Sequence, residues 1–186
     1  LYVYRAERIA AERQRRLEFI DRVTSAAIEA PRLMPMLEAA AEQLRAMLGA
    51  RLTATYLVAA DDRDTLRRAF ETDFSPDLPE ELTRQQAHPI IEALRVRRPV
   101  QCTLTLDGDE GEPGEMPGVA VPLMGVARSV GVLVVGWQPE TELTGEDLLT
   151  LGNAGAQLGV IVQQMVLLED VRQDRDRWQQ TFDSIT

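Results

Sequence analysis

The sequence predicts an α+β fold, an antiparallel sheet flanked by helices, and three observations carry that expectation. First, residues 118–138 (GVAVPLMGVARSVGVLVVGWQ) hold two apolar runs, 119–124 and 130–137, joined by a short connection containing Gly125, Arg128 and Ser129. Val- and Leu-rich runs of about six to eight residues bounded by Gly and Pro mark core strands. So short a connection makes them antiparallel neighbours. Second, residues 52–59 alternate, with Leu52, Ala54, Tyr56 and Val58 facing one way and Thr53 and Thr55 the other. Third, everything after Thr144 reads as one continuous helix.

Taken in order, residues 4–29 are rich in Ala, Arg and Glu and lack Gly and Pro. Val3, Ala10, Leu17 and Thr24 interleave with Ala6, Arg13, Ile20 and Ala27 at heptad spacing. This is a helix, either solvated with one face on the domain or paired as a dimeric coiled coil. Pro31 and Pro35 interrupt it, and residues 34–49 resume a helical pattern with Met36, Leu37, Ala40, Leu44 and Leu48 on one face. Gly49 is placed to end that helix. After the strand at 52–59, the polar turn 61–64 leads to a returning strand at 65–72. Residues 74–83, with Pro76, Pro79 and several acids, read as a loop.

Pro89 suits the first position of a short helix to Arg97, where its missing N–H costs nothing. Pro99 stops that helix. Residues 100–106 follow as a strand with Val100, Cys102, Leu104 and Leu106 on one face, and the Gly-, Pro- and acid-rich stretch 107–117 is an exposed loop. Thr144, with Asp147 three residues on, resembles a capping box with a shortened acid. The helix starting there runs to about Phe182. Up to Leu168 it is apolar nearly all round, with Gly152, Gly155 and Gly159 as a stripe that lets it lie close on another backbone. From there Leu168, Val171, Arg175, Trp178, Phe182 and Ile185 form a heptad seam among charges, a coiled coil leading out of the domain.

Composition narrows function. A 45% hydrophobic content fills one core at this length. A formal net charge of −10 leaves no basic surface for a phosphate backbone, which disfavours nucleic acid. All 20 basic residues are Arg, so Schiff-base chemistry and P-loop phosphate binding are out of reach. Cys102 is alone, which excludes an internal disulfide or a Cys-rich zinc site. No uninterrupted apolar run reaches the ~18–20 residues that cross a bilayer; the hairpin comes nearest, and Pro122 and Arg128 break it. The chain starts at Leu1 without Met, which reads as a fragment, with any signal peptide, anchor or catalytic domain outside it.

Two residues stand out chemically. His88, the sole histidine, precedes Pro89 at a helix start. It could cap the helix, contact a ligand or ligate a metal. Cys102 reads as a buried inert thiol, with chromophore attachment or redox sensing as the alternatives. The acids of 107–115 lack the ordered spacing of a calcium loop. No nucleophile elbow and no Gly-rich phosphate loop is present, so no catalytic residue and no metal site is expected.

GVAVPLMGVARSVGVLVVGW followed by LTGEDLLTLGNAGAQLGVIVQQ is similar to the closing hairpin and helix of GAF domains. RRLEFIDRVTSAAIEAPRLMPMLEAAAEQLRAMLGARLTATYLV resembles that family's opening helices and first strand, and HPIIEALRVRRPVQC its short helix and middle strand. The resemblance covers about residues 15–170. It implies a six-stranded antiparallel sheet with N- and C-terminal helices on one face, and with a short helix and loops enclosing a small-molecule pocket on the other. It also implies homodimerisation through the terminal helices. The chain has no Lys and only Asn153 as Asn, so the Asn-Lys-Phe-Asp-Glu set of cyclic-nucleotide binders is absent. The single Cys argues against the methionine-sulfoxide-reductase members, and Cys102 and His88 do not clearly match the bilin binders. RWQQTFDSIT resembles a linker into a PAS domain or the transmitter of a bacterial sensor histidine kinase.

The expected layout is an N-terminal signalling helix (1–30), a GAF domain (31–168) and a coiled-coil linker (169–186). The expected function is a cytoplasmic, non-catalytic sensory or relay module of a two-component or similar signalling protein, without membrane contact of its own and with any cofactor unknown. The alternative is a purely structural homodimerisation module whose pocket its own side chains fill. An enzyme would need a reactive Cys102 or a metal at His88. Ligand contacts are expected at Tyr56, Phe70, His88, Ile91 and Cys102, on one sheet face and the adjacent short helix.

Overall fold

The computed structural model describes residues 32–72, 75, 77–106 and 114–183, with the backbone alone at 106, 173, 174 and 176–183. Of the N-terminal segment it describes Gln14, Leu17, Glu18, Asp21, Arg22, Ser25 and Glu29. Those seven are helical and exposed; the rest of the expected N-terminal helix, residues 107–113 of the expected loop, the side chains of Trp178 and Phe182, and Ile185 lie outside the described residues.

The sixteen-residue helix α1 (Leu33–Leu48) buries Met36, Leu37, Ala40, Ala41 and Leu44 on one face and stops at Gly49, whose φ of 63° is left-handed. Six strands follow: β1 (Leu52–Val58), β2 (Thr65–Glu71), β3 (Glu81–Thr83), β4 (Val100–Leu106), β5 (Gly114–Met124) and β6 (Ser129–Gly136). Helix α2 (Pro89–Val96) lies between β3 and β4, and α3 (Gly145–Asp183) closes the chain. The sheet runs β3-β2-β1-β6-β5-β4, with every neighbour antiparallel. The hairpin at 118–138 supplies two of its inner strands, as expected.

The turn before β2 forms because the Asp62 carboxylate accepts from the Asp64 amide (2.9 Å) and the Thr65 hydroxyl (2.6 Å). Two expectations need correction. The supposed loop at 74–83 contains β3, three residues paired to β2 through Leu66 and Leu82. And β5 begins at Gly114, inside the supposed exposed loop, pairing back along all of β4.

Each sheet face carries its own core. On one face, Leu37 and Leu44 of α1 and Leu151, Leu158 and Val162 of α3 meet Val119, Val121, Leu123, Leu133 and Val135. Trp137 joins them and donates its indole N–H to the Leu48 carbonyl at 3.0 Å, tying α1 to the end of β6. On the other face, Ile90, Ile91 and Leu94 of α2, with Leu78 and Leu82, cover Leu52, Ala54, Tyr56, Ala120, Val132 and Val134. Full burial contributes about 1.5–3 kcal/mol for each large apolar side chain, so both layers are needed to hold the sheet.

The glycine stripe of α3 does what its spacing suggests. A Cβ on Gly155 would lie 2.6 Å from Val121 Cγ1 and 2.8 Å from the Pro122 carbonyl oxygen. The helix therefore rests on the β5 backbone itself. At 39 residues α3 is about 58 Å long. The stretch Gly145–Arg172, which holds an 18-residue window of mean hydropathy 1.3, is long and apolar enough to cross a bilayer by length and composition. One face of this stretch, through Leu151, Ala154, Leu158 and Val162, is buried against the sheet.

Candidate ligand site

Four of the five expected contacts, Tyr56, His88, Ile91 and Cys102, lie on the α2 side of the sheet or at its edge. Tyr56 stands on β1 with no exposure at all, among Leu52, Leu66, Ile90 and Met116. Its hydroxyl donates to the Pro79 carbonyl at 2.6 Å. Burial pushes its phenol up to about 12, while the neighbouring Arg68 charge pulls against that shift. Ile91 is buried in the same layer, and Cys102 of β4 is packed against its edge.

Arg68 and Glu71 of β2 also face this layer, a pair that alternation alone does not reveal. Arg68 Nη1 lies 2.9 Å from Glu71 Oε2 and donates to the Leu78 carbonyl at 2.6 Å; both side chains are largely buried. Glu71 also accepts from the Ser75 amide at 3.2 Å. Ser75 in turn donates its hydroxyl to the Thr105 carbonyl on β4, and Thr105 donates its own to the Asp77 carboxylate. Residues 75, 77, 78 and 79 are thus fastened to three strands of the sheet, over the top of Tyr56.

His88 completes that fastening. It is the N-cap of α2, its Nδ1 accepting from the Ile90 amide at 3.3 Å. An acceptor at Nδ1 puts the ring proton on Nε2, which faces the Asp77 carbonyl at 3.3 Å. The histidine therefore joins the start of α2 to the covering segment, the capping alternative among the three weighed for it.

Phe70 is a correction. It lies on the opposite face, packed with Ala69 against the α1–α3 core. The cause is a bulge: Thr55 pairs with Phe70 but Tyr56 with Arg68, so Ala69 is an extra residue in β2. That one-residue slip sends Phe70 to the helix side and turns Glu71 to the face that Arg68 already occupies, beneath the covering segment at 75–79.

The family model for the GAF domain matches residues 35–163. The chain belongs to the GAF domain family. GAF domains are sensory and regulatory modules of signalling proteins. No curated protein matches the chain in sequence. Among solved structures, the fold is similar to the GAF domain of a phosphoenolpyruvate-protein phosphotransferase from Coxiella burnetii, with TM-score 0.67 and 13% identity over 84% of this chain and 98% of that one. It is similar to the GAF domain of a proposed sensor histidine kinase from Pseudomonas syringae pv. tomato, with TM-score 0.63 and 15% identity over 91% and 99%. It also resembles the free methionine-R-sulfoxide reductase of Neisseria meningitidis, solved with its substrate, with TM-score 0.62 and 17% identity over 82% and 91%. At these identities the likeness is one of fold.

Within this GAF domain the expected contacts do not share one cavity. His88 and Ile91 line a surface cleft of about 470 Å³ with Arg84, Glu92, Arg95 and Val100. Cys102 lines a separate cleft of about 320 Å³ beside Gln101, Pro117 and Leu143. Burial pushes its thiol up to about 11, which keeps it protonated and poorly nucleophilic. A third cleft, of about 390 Å³, lies at the far end of the sheet among Leu33, Arg63, Arg128, Gln163 and Glu169. Among the described residues, no cluster of three His, Cys, Asp or Glu side chains could hold a metal. Sequence reading missed Arg68, Glu71 and Ser75; the charged pair within an otherwise strand-like run was the available signal.

Proposed function

We propose that this GAF domain is a non-catalytic sensory or relay module of a multidomain signalling protein. Binding of a small ligand or a partner at the α2 face shifts the arrangement of the terminal helices, and α3 carries the change onward. The supporting observation is the division of α3. Its Gly155–Gly159 portion rests on the β5 backbone, whereas Leu167, Leu168 and Val171 stand more than half exposed and the helix continues to Asp183. Exposed apolar side chains on an outgoing helix suit a homodimeric coiled coil with a downstream domain, such as a bacterial histidine kinase transmitter. The surroundings are taken as cytoplasmic, with neither nucleic acid nor membrane as partner. A ligand acts only if it binds the two helix arrangements unequally. Inserting one residue near Asp174 in the full-length protein rotates the seam by about 100°. Output should change sharply; unchanged output overturns the relay.

A second reading, a structural homodimerisation module, draws support from the density beneath α2. Tyr56, Leu66, Ile90, Leu104 and Met116 fill that layer at 3% exposure or less. A native mass spectrum decides between them, since a dimer mass with no co-purifying ligand favours the second reading. Sedimentation of a chain truncated at Leu168 locates the dimer contact.

A further inference from the structure

Helix α1 begins without a cap of its own. Arg32 occupies the N-cap position and makes no side-chain bond there, and the first turn carries no acid. Pro35 removes one amide, and the Met36 amide already donates to the Arg32 carbonyl at 3.1 Å. The Leu33 amide is answered from 136 residues away: it donates to the Glu169 carboxylate at 3.1 Å. A carboxylate at a helix start both accepts a free N–H and meets the positive end of the helix dipole.

The place of Glu169 on α3 gives this contact its consequence. Gly155 and Gly159 hold the helix on β5. Gln163, one turn on, accepts from the Val126 amide at 2.7 Å and so grips the β5–β6 connection. Met165 and Val166 still pack against the core; Glu169 adds a polar fastening just beyond them, after which Val171 is 67% exposed. Both Gln163 and Glu169 stand in the wall of the same surface cleft as Leu33.

We infer that Glu169 is a latch between the two ends of the domain, holding the start of α1 to the point where α3 leaves the sheet. It is a positioning residue. A displacement of the N-terminal segment pulls on α3 directly through this bond, without passing through the layer beneath α2. The signalling meaning of the latch rests on the relay reading, but its existence does not. The insertion at Asp174 tests the reading, and hydrogen exchange tests the latch.

The experiment compares amide exchange in the 186-residue chain, its Glu169→Ala variant and the double variant Glu169→Ala/Arg32→Asp. Asp at position 32 gives α1 a local cap through the Met34 amide and leaves α3 untethered. Glu169→Ala should speed exchange about five-fold in the first turn of α1, the effect of one lost cap. It should also speed exchange at residues 168–174 of α3 about two-fold or more. Adding Arg32→Asp should restore α1 from Met34 on, the Leu33 amide alone staying fast, and leave α3 fast. A change confined to α1, no change in either helix, or recovery of both helices on adding Arg32→Asp each overturns the latch.

Discussion

A single carbon added to Gly159 would lie 2.3 Å from the amide nitrogen of Met124. The same carbon would stand 2.5 Å from that residue's carbonyl carbon and oxygen, so backbone, not a yielding side chain, forms the obstacle. Helix and strand touch main chain to main chain at this point, and the position of α3 follows from it.

Gly159→Ala should therefore push α3 off β5 and cost about 3 kcal/mol or more, as overpacking against an unyielding wall does. Gly152→Ala is the control. The nearest atom there is the Pro99 ring Cγ at 3.3 Å, which need shift only a few tenths of an ångström by ring pucker, and alanine gains about 1 kcal/mol of helix propensity, so the change should be neutral or stabilising. Urea midpoints compare the two. Equal effects would contradict the close approach.

Tyr56→Phe removes the hydroxyl bonded to Pro79 and leaves a carbonyl short of its donor, at a cost of about 1–2 kcal/mol. The phenol titrates near 10 when unfolded and about 12 in the fold. Its contribution is therefore fully present below pH 10 and is lost as pH rises through 12. Denaturant midpoints at pH 9 to 12 should fall for the native chain and fall less for Tyr56→Phe. Parallel curves would remove Tyr56 as the cause.

Cys102, with its thiol pushed up to about 11 from 9.0, carries about 100-fold less thiolate at pH 8 than an ordinary cysteine. Its reaction with a disulfide reagent in the folded chain should be slower than that of the urea-unfolded chain by about that factor. Equal rates would show an accessible, activated thiol and reopen covalent chemistry at β4.

The start of α3 is held by a reciprocal pair. The Thr144 hydroxyl accepts from the Asp147 amide at 3.2 Å, and the Asp147 carboxylate accepts from the Thr144 amide at 2.8 Å. Thr144→Ala should cost about 1 kcal/mol, and Asp147→Ala a similar amount. The double variant should cost less than the two together, because each half supports the other. Strict additivity in thermal melts would show the halves to be independent.

Where periodicity was strong, the fold could be read from the residues alone. Both hairpins, the glycine-lined helix, the Gly49 stop and the Pro89 start follow from local chemistry that tertiary contacts reinforce. β3 escaped because three residues, Glu81–Thr83, hold too little of a two-residue period to stand out from Pro-rich surroundings. β5 was cut short because Pro117 and two glycines argue against a strand, although the Pro117 carbonyl still accepts from the Trp137 amide at 2.9 Å. The candidate site was legible at Tyr56, His88, Ile91 and Cys102 as positions on the α2 side or its edge. Phe70 was misplaced because only three-dimensional pairing reveals the bulge at Ala69, and that same bulge turns Glu71 to the face that Arg68 already occupies.

The pairing of β1 with β6 joins residues about 80 positions apart, Leu52 opposite Gly136. A ribosome makes β1 long before β6, so the emerging chain holds β1 with one edge unpaired while some 70 further residues are added. Such an edge is a template for wrong partners, and contacts this distant in sequence form late and slowly. The middle of this sheet is thus its most protected region once folded and its most vulnerable during synthesis. Substitutions that slow the closing of the β5–β6 hairpin should reduce the yield of folded protein more than they reduce its stability.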